Sequence, residues 1–323
     1  MTPRLVFVHG IGRPSDPEQR LLAWTRALAE GSVAAGHSRF AQWLLEGRGD
    51  GVVLAYYADL FSDPGSQGPQ GSPVDGLGEP EVEILTRFLR DILEEQLADA
   101  PPDDVRDVLE RSLLQLTPPD QAQAQGPGQA VRRAVNAVTT LLTVPPMRGA
   151  GHWAGGRFLV GDLAQVARYL GRGEGASGLP SLDQRIRDRV SEAIGDGPTV
   201  VAAHSLGTVV AVETLHGHAA DVALLATMGS PIAMRSVVWS RLVPQPPRTP
   251  GPVGRWLNFW DRDDVIVARP RLERDIKPNA AGVLPVSSRI DSDGLWTHSV
   301  VKYLRQPAVA GPIAEAAGTI GLA

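Results

Sequence analysis

The chain has 323 residues, a formal net charge of −5, 43% hydrophobic residues and no cysteine, which suits one large α/β domain or two small ones with a substantial core. The acidic balance gives no reason to expect nucleic acid, because only two of the 31 basic residues are lysines, Lys277 and Lys302, and the arginines are scattered as on a solvated surface. The absence of cysteine excludes disulfides, thiolate metal sites and a thiol nucleophile, and together with the lack of a signal-type segment or an apolar run of about 18 residues it leads to the expectation of a cytoplasmic protein with no membrane span.

Residues 4–8 read as a buried strand that runs into His9-Gly10-Ile11-Gly12. A helix is predicted over 17–35, with Leu21, Leu22, Trp24, Leu28 and Val33 at helical spacing, and a second strand over 51–57. Residues 63–80 are dense in Gly, Pro, Ser and Gln and read as a loop. From 81 to 144 the pattern becomes purely helical. Leu85, Phe88, Leu89, Ile92, Leu93 and Leu97 form one apolar stripe, Val105, Val108, Leu109 and Leu113 a second, and Val131, Val135, Val138 and Leu142 a third, with a Pro/Gln/Gly linker over 117–129. This block is expected to be an insertion between core elements. Its apolar faces suit packing on the core, packing against a second copy of the chain, or a lid over a site. The division is therefore 1–60 and 155–323 as the core and 61–154 as loop and helical insertion.

The alternation of helix and strand resumes with helices over 158–170 and 182–194. A strand at 199–203 precedes a helix at 206–216. Further strands are predicted at 222–228, 256–260 and 283–290, then a helix at 299–304. Such alternation implies a mostly parallel sheet with helices on both faces. Right-handed crossovers then bring every strand's C-terminal end to one edge, where open α/β sheets bind ligands.

The run Val200 to Val210 carries the chemistry. An apolar strand enters Ala203-His204-Ser205-Leu206-Gly207 and leaves as a helix. A serine hydroxyl needs exposure and a neighbouring base to act as a nucleophile, and a sharp strand-to-helix turn supplies the exposure. That turn also frees the backbone N–H of Leu206 to stabilise an oxyanion. The crowded turn wants small residues two before and two after the serine, here Ala203 and Gly207.

His298, between the last strand and the helix that follows it, is the histidine placed at the same sheet edge and is the candidate base. His37, His152, His216 and His218 read as surface or packing residues, and His204 as a structural residue of the turn. The imidazole requires a carboxylate. Asp261, Asp263 and Asp264 follow a strand. The two-residue step from Asp263 to the apolar Val265 favours Asp263, with Asp261 next and Asp264 last, ahead of Asp291 and Asp293. The N–H of Ile11 is the second candidate oxyanion donor. Gly10 and Gly12 do not complete a dinucleotide fingerprint, since Ser15 stands at its last position, and no phosphate-binding G-x-x-x-x-G-K-[ST] occurs.

Taken together, His9-Gly10-Ile11-Gly12, the elbow Ala203 to Gly207, Gly229-Ser230-Pro231, Asp263-Asp264-Val265 and His298 resemble the α/β-hydrolase superfamily, on its lipase and esterase branch. The order Ser, Asp, His is that family's order. The resemblance covers 1–60 and 155–310 and not the helical block, and the hairpin that usually precedes the His-Gly loop has no room here, so about six strands are expected. It implies Ser205 as nucleophile, His298 as base then acid, Asp263 as orienting carboxylate, and Leu206 and Ile11 as oxyanion donors. It further implies an acyl-enzyme route on a small ester or acyl substrate, with no cofactor and no metal. Thioester and amide cleavage would use the same residues, and a catalytically silent binding protein on the same fold is the alternative from another class.

Overall fold

The computed structural model describes residues 2–12, 14–46, 51–61, 77–98, 101–117, 127–141, 156–173, 179–264, 266–267, 269–292 and 297–322. Six strands, β1 (Arg4–Val8), β2 (Val52–Ala55), β3 (Thr199–His204), β4 (Val222–Met228), β5 (Trp256–Asp261) and β6 (Pro285–Ile290), form one sheet in the order β2-β1-β3-β4-β5-β6. Every pair is parallel, so all six C-terminal ends share an edge. The strand order turns back on itself at β1: β2 lies on one side of it and β3 on the other. The crevice beyond Val8 and Ala203, which are register partners, is therefore the topological switch point of the sheet.

The central strands β1, β3, β4 and β5 are buried on both faces, as a parallel sheet requires, and alternate residues feed two separate cores. Leu5, Phe7, Val200, Ala202, Leu224, Ala226, Leu257 and Phe259 face a layer built from α1 (Pro17–Ala34), α2 (Ser38–Leu45), α9 (Val300–Leu304) and α10 (Pro307–Thr319). Val6, Val8, Val201, Ala203 and Leu225 face the opposite layer of α7 (Leu182–Ile194) and α8 (Leu206–His216), and this core continues into the helical block. Asp16 starts α1 by accepting the N–H groups of Glu18 and Gln19 on its carboxylate, with Pro17 at the first helical position.

The block contains the three expected helices, α3 (Glu79–Ala98), α4 (Asp103–Leu116) and α5 (Pro127–Leu141). Leu85, Phe88, Leu89, Ile92 and Leu93 of α3 are buried, as are Val108 and Leu109 of α4 and Val138 of α5. α6 (Gly156–Gly171), grouped by its sequence with the core, packs against α3 and α5 as well as against α7, and so joins the block to the sheet. Residues 62–76, most of the expected loop, and Leu142 lie outside the described residues.

Two helices carried no sequence signal strong enough to be expected. α2 is only eight residues long, and α10 contains Gly311, Pro312 and Gly318. α10 forms because Val309, Ala310, Ile313, Ala314 and Ala317 bury one face against α1 and the sheet, and tertiary burial outweighs poor propensity. The last strand begins at Pro285 and not at Val283. Among the described residues no helix is long and apolar enough to cross a membrane.

Candidate active site

β3 ends at His204 and α8 begins at Leu206, so Ser205 alone makes the turn. Its backbone is in the left-handed region, φ +55° and ψ −132°, which L-residues avoid. The turn is held by Ser205 N–H donating to the Met228 carbonyl at 3.0 Å, and by the Thr208 N–H and hydroxyl donating to the Ser205 carbonyl at 2.9 and 2.7 Å. The requirement for a small residue two positions on is steric: a Cβ at Gly207 would collide with the carbonyl oxygens of Val8 and His9. Ala203 meets the corresponding requirement as a fully buried residue of the core that also contains Val8 and Val201.

His298 reaches the serine from the segment before α9. Its Nε2 lies 2.9 Å from Ser205 Oγ, and its Nδ1 lies 2.9 and 2.8 Å from the two carboxylate oxygens of Asp264. A carboxylate only accepts, so Nδ1 carries the proton and Nε2 is left to accept from the serine hydroxyl. The structure thus replaces Asp263 by Asp264 as the partner of His298. β5 stops at Asp261, and a turn follows in which Asp264 N–H donates to the Asp261 carbonyl at 3.2 Å while Asp261 Oδ1 accepts Asp263 N–H at 2.9 Å. Arg262 and Asp263 are the tip of that turn and are exposed; Asp264 is the residue at which the chain returns, and it is buried. An Asp at the first position of a turn is a known maker of this geometry, and that signal, rather than the spacing to Val265, points to the right carboxylate.

Asp264 is fully satisfied. Oδ1 also accepts Ile266 N–H at 3.0 Å, and Oδ2 accepts the Tyr303 hydroxyl at 2.7 Å. Burial, with the Asp264 carboxylate beside it, pushes the Tyr303 phenol well above its usual range, so this hydroxyl stays a donor. Asp261, the second-ranked acid, does different work: its Oδ2 accepts both the N–H and the hydroxyl of Ser292 at 2.6 Å, which ties the loop carrying Asp264 to the segment leading to His298. Gly229, at φ +55°, leaves room for the relay, since a Cβ there would stand 2.9 Å from Asp264 Oδ2 and 3.1 Å from His298 Nδ1. Its neighbour Ser230 bonds Thr208 of α8, Oγ to Oγ1, at 2.8 Å. Asp291 pairs with Arg289, and Asp293 lies outside the described residues.

His204 packs its ring on that of His298, centroids 4.7 Å apart, with Trp24 and Tyr303 on its other sides. Its Nε2 is buried without a hydrogen-bond partner, and desolvation, followed by the neighbouring His298 and His9, keeps the ring neutral. His216 and His218, at the far end of α8, bond the carbonyls of Arg248 and Ser191; His37 precedes α2, and His152 lies outside the described residues.

On the other side of Ser205 runs the loop from His9 to Gly12. Gly10 is in such close contact that a Cβ on it would stand 2.5 Å from Ser205 Cβ. His9 is buried, and its Nε2 accepts Tyr57 N–H at 3.1 Å, so its proton is on Nδ1, which donates to the Gly10 carbonyl at 2.7 Å. The Tyr57 ring stacks on it at 4.0 Å and the Tyr57 hydroxyl donates to the His9 carbonyl. Burial, aided by the charge of Arg20, lowers the His9 pKa to about 3, so the imidazole is neutral. Because a trans peptide points its C=O and N–H in opposite directions, holding the Gly10 carbonyl toward His9 turns the Ile11 N–H the other way. Leu206 N–H is the first in α8 and has no intrahelical acceptor by position. Leu206 directly follows the serine in the chain, and Ile11 directly follows Gly10, which is in contact with it.

Among the described residues no group of three or more His, Asp or Glu side chains is arranged to hold a metal ion. Three residues that support the site were missed from sequence: Tyr57, Tyr303 and Gln165 of α6, the last of which exchanges two hydrogen bonds with Gly12. Each is a polar group in an apolar segment, a pattern that marks buried bonding without naming the partner. No protein-family model matches the chain, and comparison with curated proteins and with solved structures returns no match.

Proposed function

We propose that the protein is a serine hydrolase of carboxylic esters, an α/β-hydrolase of the lipase and esterase kind, working through an acyl-enzyme. One observation carries the reading: Asp264, His298 and Ser205 are hydrogen-bonded in sequence, each link between 2.8 and 2.9 Å, with the serine on a left-handed turn between a strand and a helix.

In this reading Ser205 Oγ attacks the ester carbonyl as its proton passes to His298 Nε2. The carbonyl oxygen becomes an oxyanion held by the N–H groups of Leu206 and Ile11. Asp264, fixed by Tyr303 and Ile266, accepts the Nδ1 proton's hydrogen bond and stabilises the imidazolium without taking the proton. Collapse breaks the bond to the leaving oxygen, which receives the proton from Nε2, and leaves an acyl group on Ser205. Water then adds by the same route and releases the acid. α6 touches the loop at Gly12, so the α3–α6 block borders the place an acyl group would take, as a wall or as a lid.

The test is labelling by a fluorophosphonate probe together with turnover of p-nitrophenyl esters of increasing chain length. The expected result is stoichiometric labelling that Ser205→Ala abolishes, and a rate that depends on chain length. An unlabelled wild-type protein that turns over no ester would overturn the reading in favour of a silent binding protein, while preference for thioesters or amides would move the substrate class and keep the mechanism.

A further inference from the structure

We infer that Gln165 is a positioning residue that sets the oxyanion donor of Ile11, an inference that rests on the hydrolase reading above. The loop from His9 to Gly12 has no regular structure of its own, and its geometry must come from what holds it. One end is held by His9, whose Nδ1 proton fixes the peptide joining Gly10 to Ile11. The other end is held by Gln165: Oε1 accepts the Gly12 N–H at 3.1 Å, and Nε2 donates to the Gly12 carbonyl at 3.1 Å. These two groups belong to successive peptide units. Together with the His9 bond they restrain the peptides before and after Ile11, so the direction of its N–H is determined from both sides.

The side chain suits this task and its location does not otherwise call for it. Gln165 is 8% exposed, on a helix whose neighbouring residues Leu163, Ala164, Val166 and Ala167 are buried and apolar. A carboxamide there is costly unless paired, and both of its ends are used on one residue of the loop. Only a side chain that donates and accepts at once can hold an N–H and a carbonyl together. Glutamate would keep the first bond and lose the second; methionine, of similar shape, would lose both. The consequence is that the oxyanion donor is placed by α6, an element that contributes nothing to the relay of Asp264, His298 and Ser205.

Oxyanion donors act through position, and a displacement of about 1 Å is enough to cost about a hundredfold in rate. The experiment uses the full chain and the variants Gln165→Met and Gln165→Glu. It measures kcat and KM on p-nitrophenyl acetate per fluorophosphonate-titrated site, and inhibition by an aryl trifluoromethyl ketone, whose serine adduct carries an oxyanion. Backbone hydrogen exchange over residues 9–12 is followed in parallel. For Gln165→Met the expected result is a kcat lower by about ten- to a hundredfold with KM within about twofold. Ketone affinity should fall by the same factor as kcat/KM, with Gln165→Glu between the two and faster exchange at Gly12 while α6 stays protected. Wild-type kcat and ketone affinity in Gln165→Met would overturn the inference, as would a loss confined to the fraction of titratable sites. If the wild-type protein neither labels nor turns over the ester, the hydrolase reading fails and the catalytic consequence with it; unchanged exchange at Gly12 would then remove the clamp as well.

Discussion

The two sides of Ser205 are built by different means. On the side of β5, β6 and α9 the site is a network of side chains: Asp264 takes bonds from His298, Tyr303 and Ile266, and Asp261 braces the loop through Ser292. It holds a buried carboxylate and, under the proposed function, passes a proton. On the side of β1, β2 and α6 the side chains His9, Tyr57 and Gln165 hold peptides in place, and under the proposed function the working groups are backbone N–H groups. His9 is kept neutral there by burial. Under the proposed function, one half must tolerate a charge that moves, whereas the other must present dipoles that do not, and a neutral, tightly bonded loop does the latter best.

Several measurements would break or sharpen this contrast. The largest effect belongs to the proton-passing side: Ser205→Ala and Asp264→Asn should each lower ester turnover by about 10⁴-fold or more, while Asp263→Asn stays within about twofold. The opposite ranking of the two aspartates would remove Asp264 from the relay. Next come two added methyl groups. Gly229→Ala would crowd the Asp264–His298 pair and Gly10→Ala would crowd Ser205 from the other side. Each is expected to cost about a hundredfold in kcat, the scale of a misplacement near 1 Å, and unchanged kinetics in either would mean that its side of the site is looser than the close approach implies. Tyr303→Phe removes one donor to the carboxylate and should reduce kcat by about three- to tenfold with a shifted acid limb in the pH–rate profile. A change in thermal midpoint alone would make Tyr303 purely structural.

The last effect is on stability and not on rate. The folded-state pKa of His9 is depressed to about 3, and that of His204 is also lowered, so the unfolded chain binds more protons below the ordinary imidazole value. Stability contributed by keeping these rings neutral is present above about pH 6.5 and declines as pH falls from there; for His9 the decline runs toward pH 3, by up to about 1.4 kcal/mol per pH unit. Denaturant midpoints at about pH 7 and about pH 4.5 should differ accordingly, and His9→Asn should flatten the slope. An equal slope in that variant would mean that His9 is protonated in the folded state.

Much of the architecture was legible because it depends on local pattern. The strand at β3, the turn at Ser205 and the helix α8 follow from an apolar run, small residues at 203 and 207 and helix-compatible residues after them. The strands β1, β4 and β5 follow from short apolar runs with turn signals at their ends. α10 was not legible, since its glycines and Pro312 argue against a helix and only burial against α1 and the sheet overrides them.

The sequence by itself determined the α/β alternation, the order in which serine, acid and histidine follow their strands, and the small residues that let the turn at Ser205 close. Spacing along the chain is enough for these because parallel strands bring all such ends to one edge. It did not determine which of three clustered aspartates meets His298. That was decided by the turn after β5, where Asp261 caps its own chain and sends Asp263 into solvent and Asp264 inward to Tyr303 and the imidazole. Nor did it disclose that a glutamine 153 positions away holds the loop at Gly12, because contact between remote elements follows from how layers pack and leaves no mark in the local pattern.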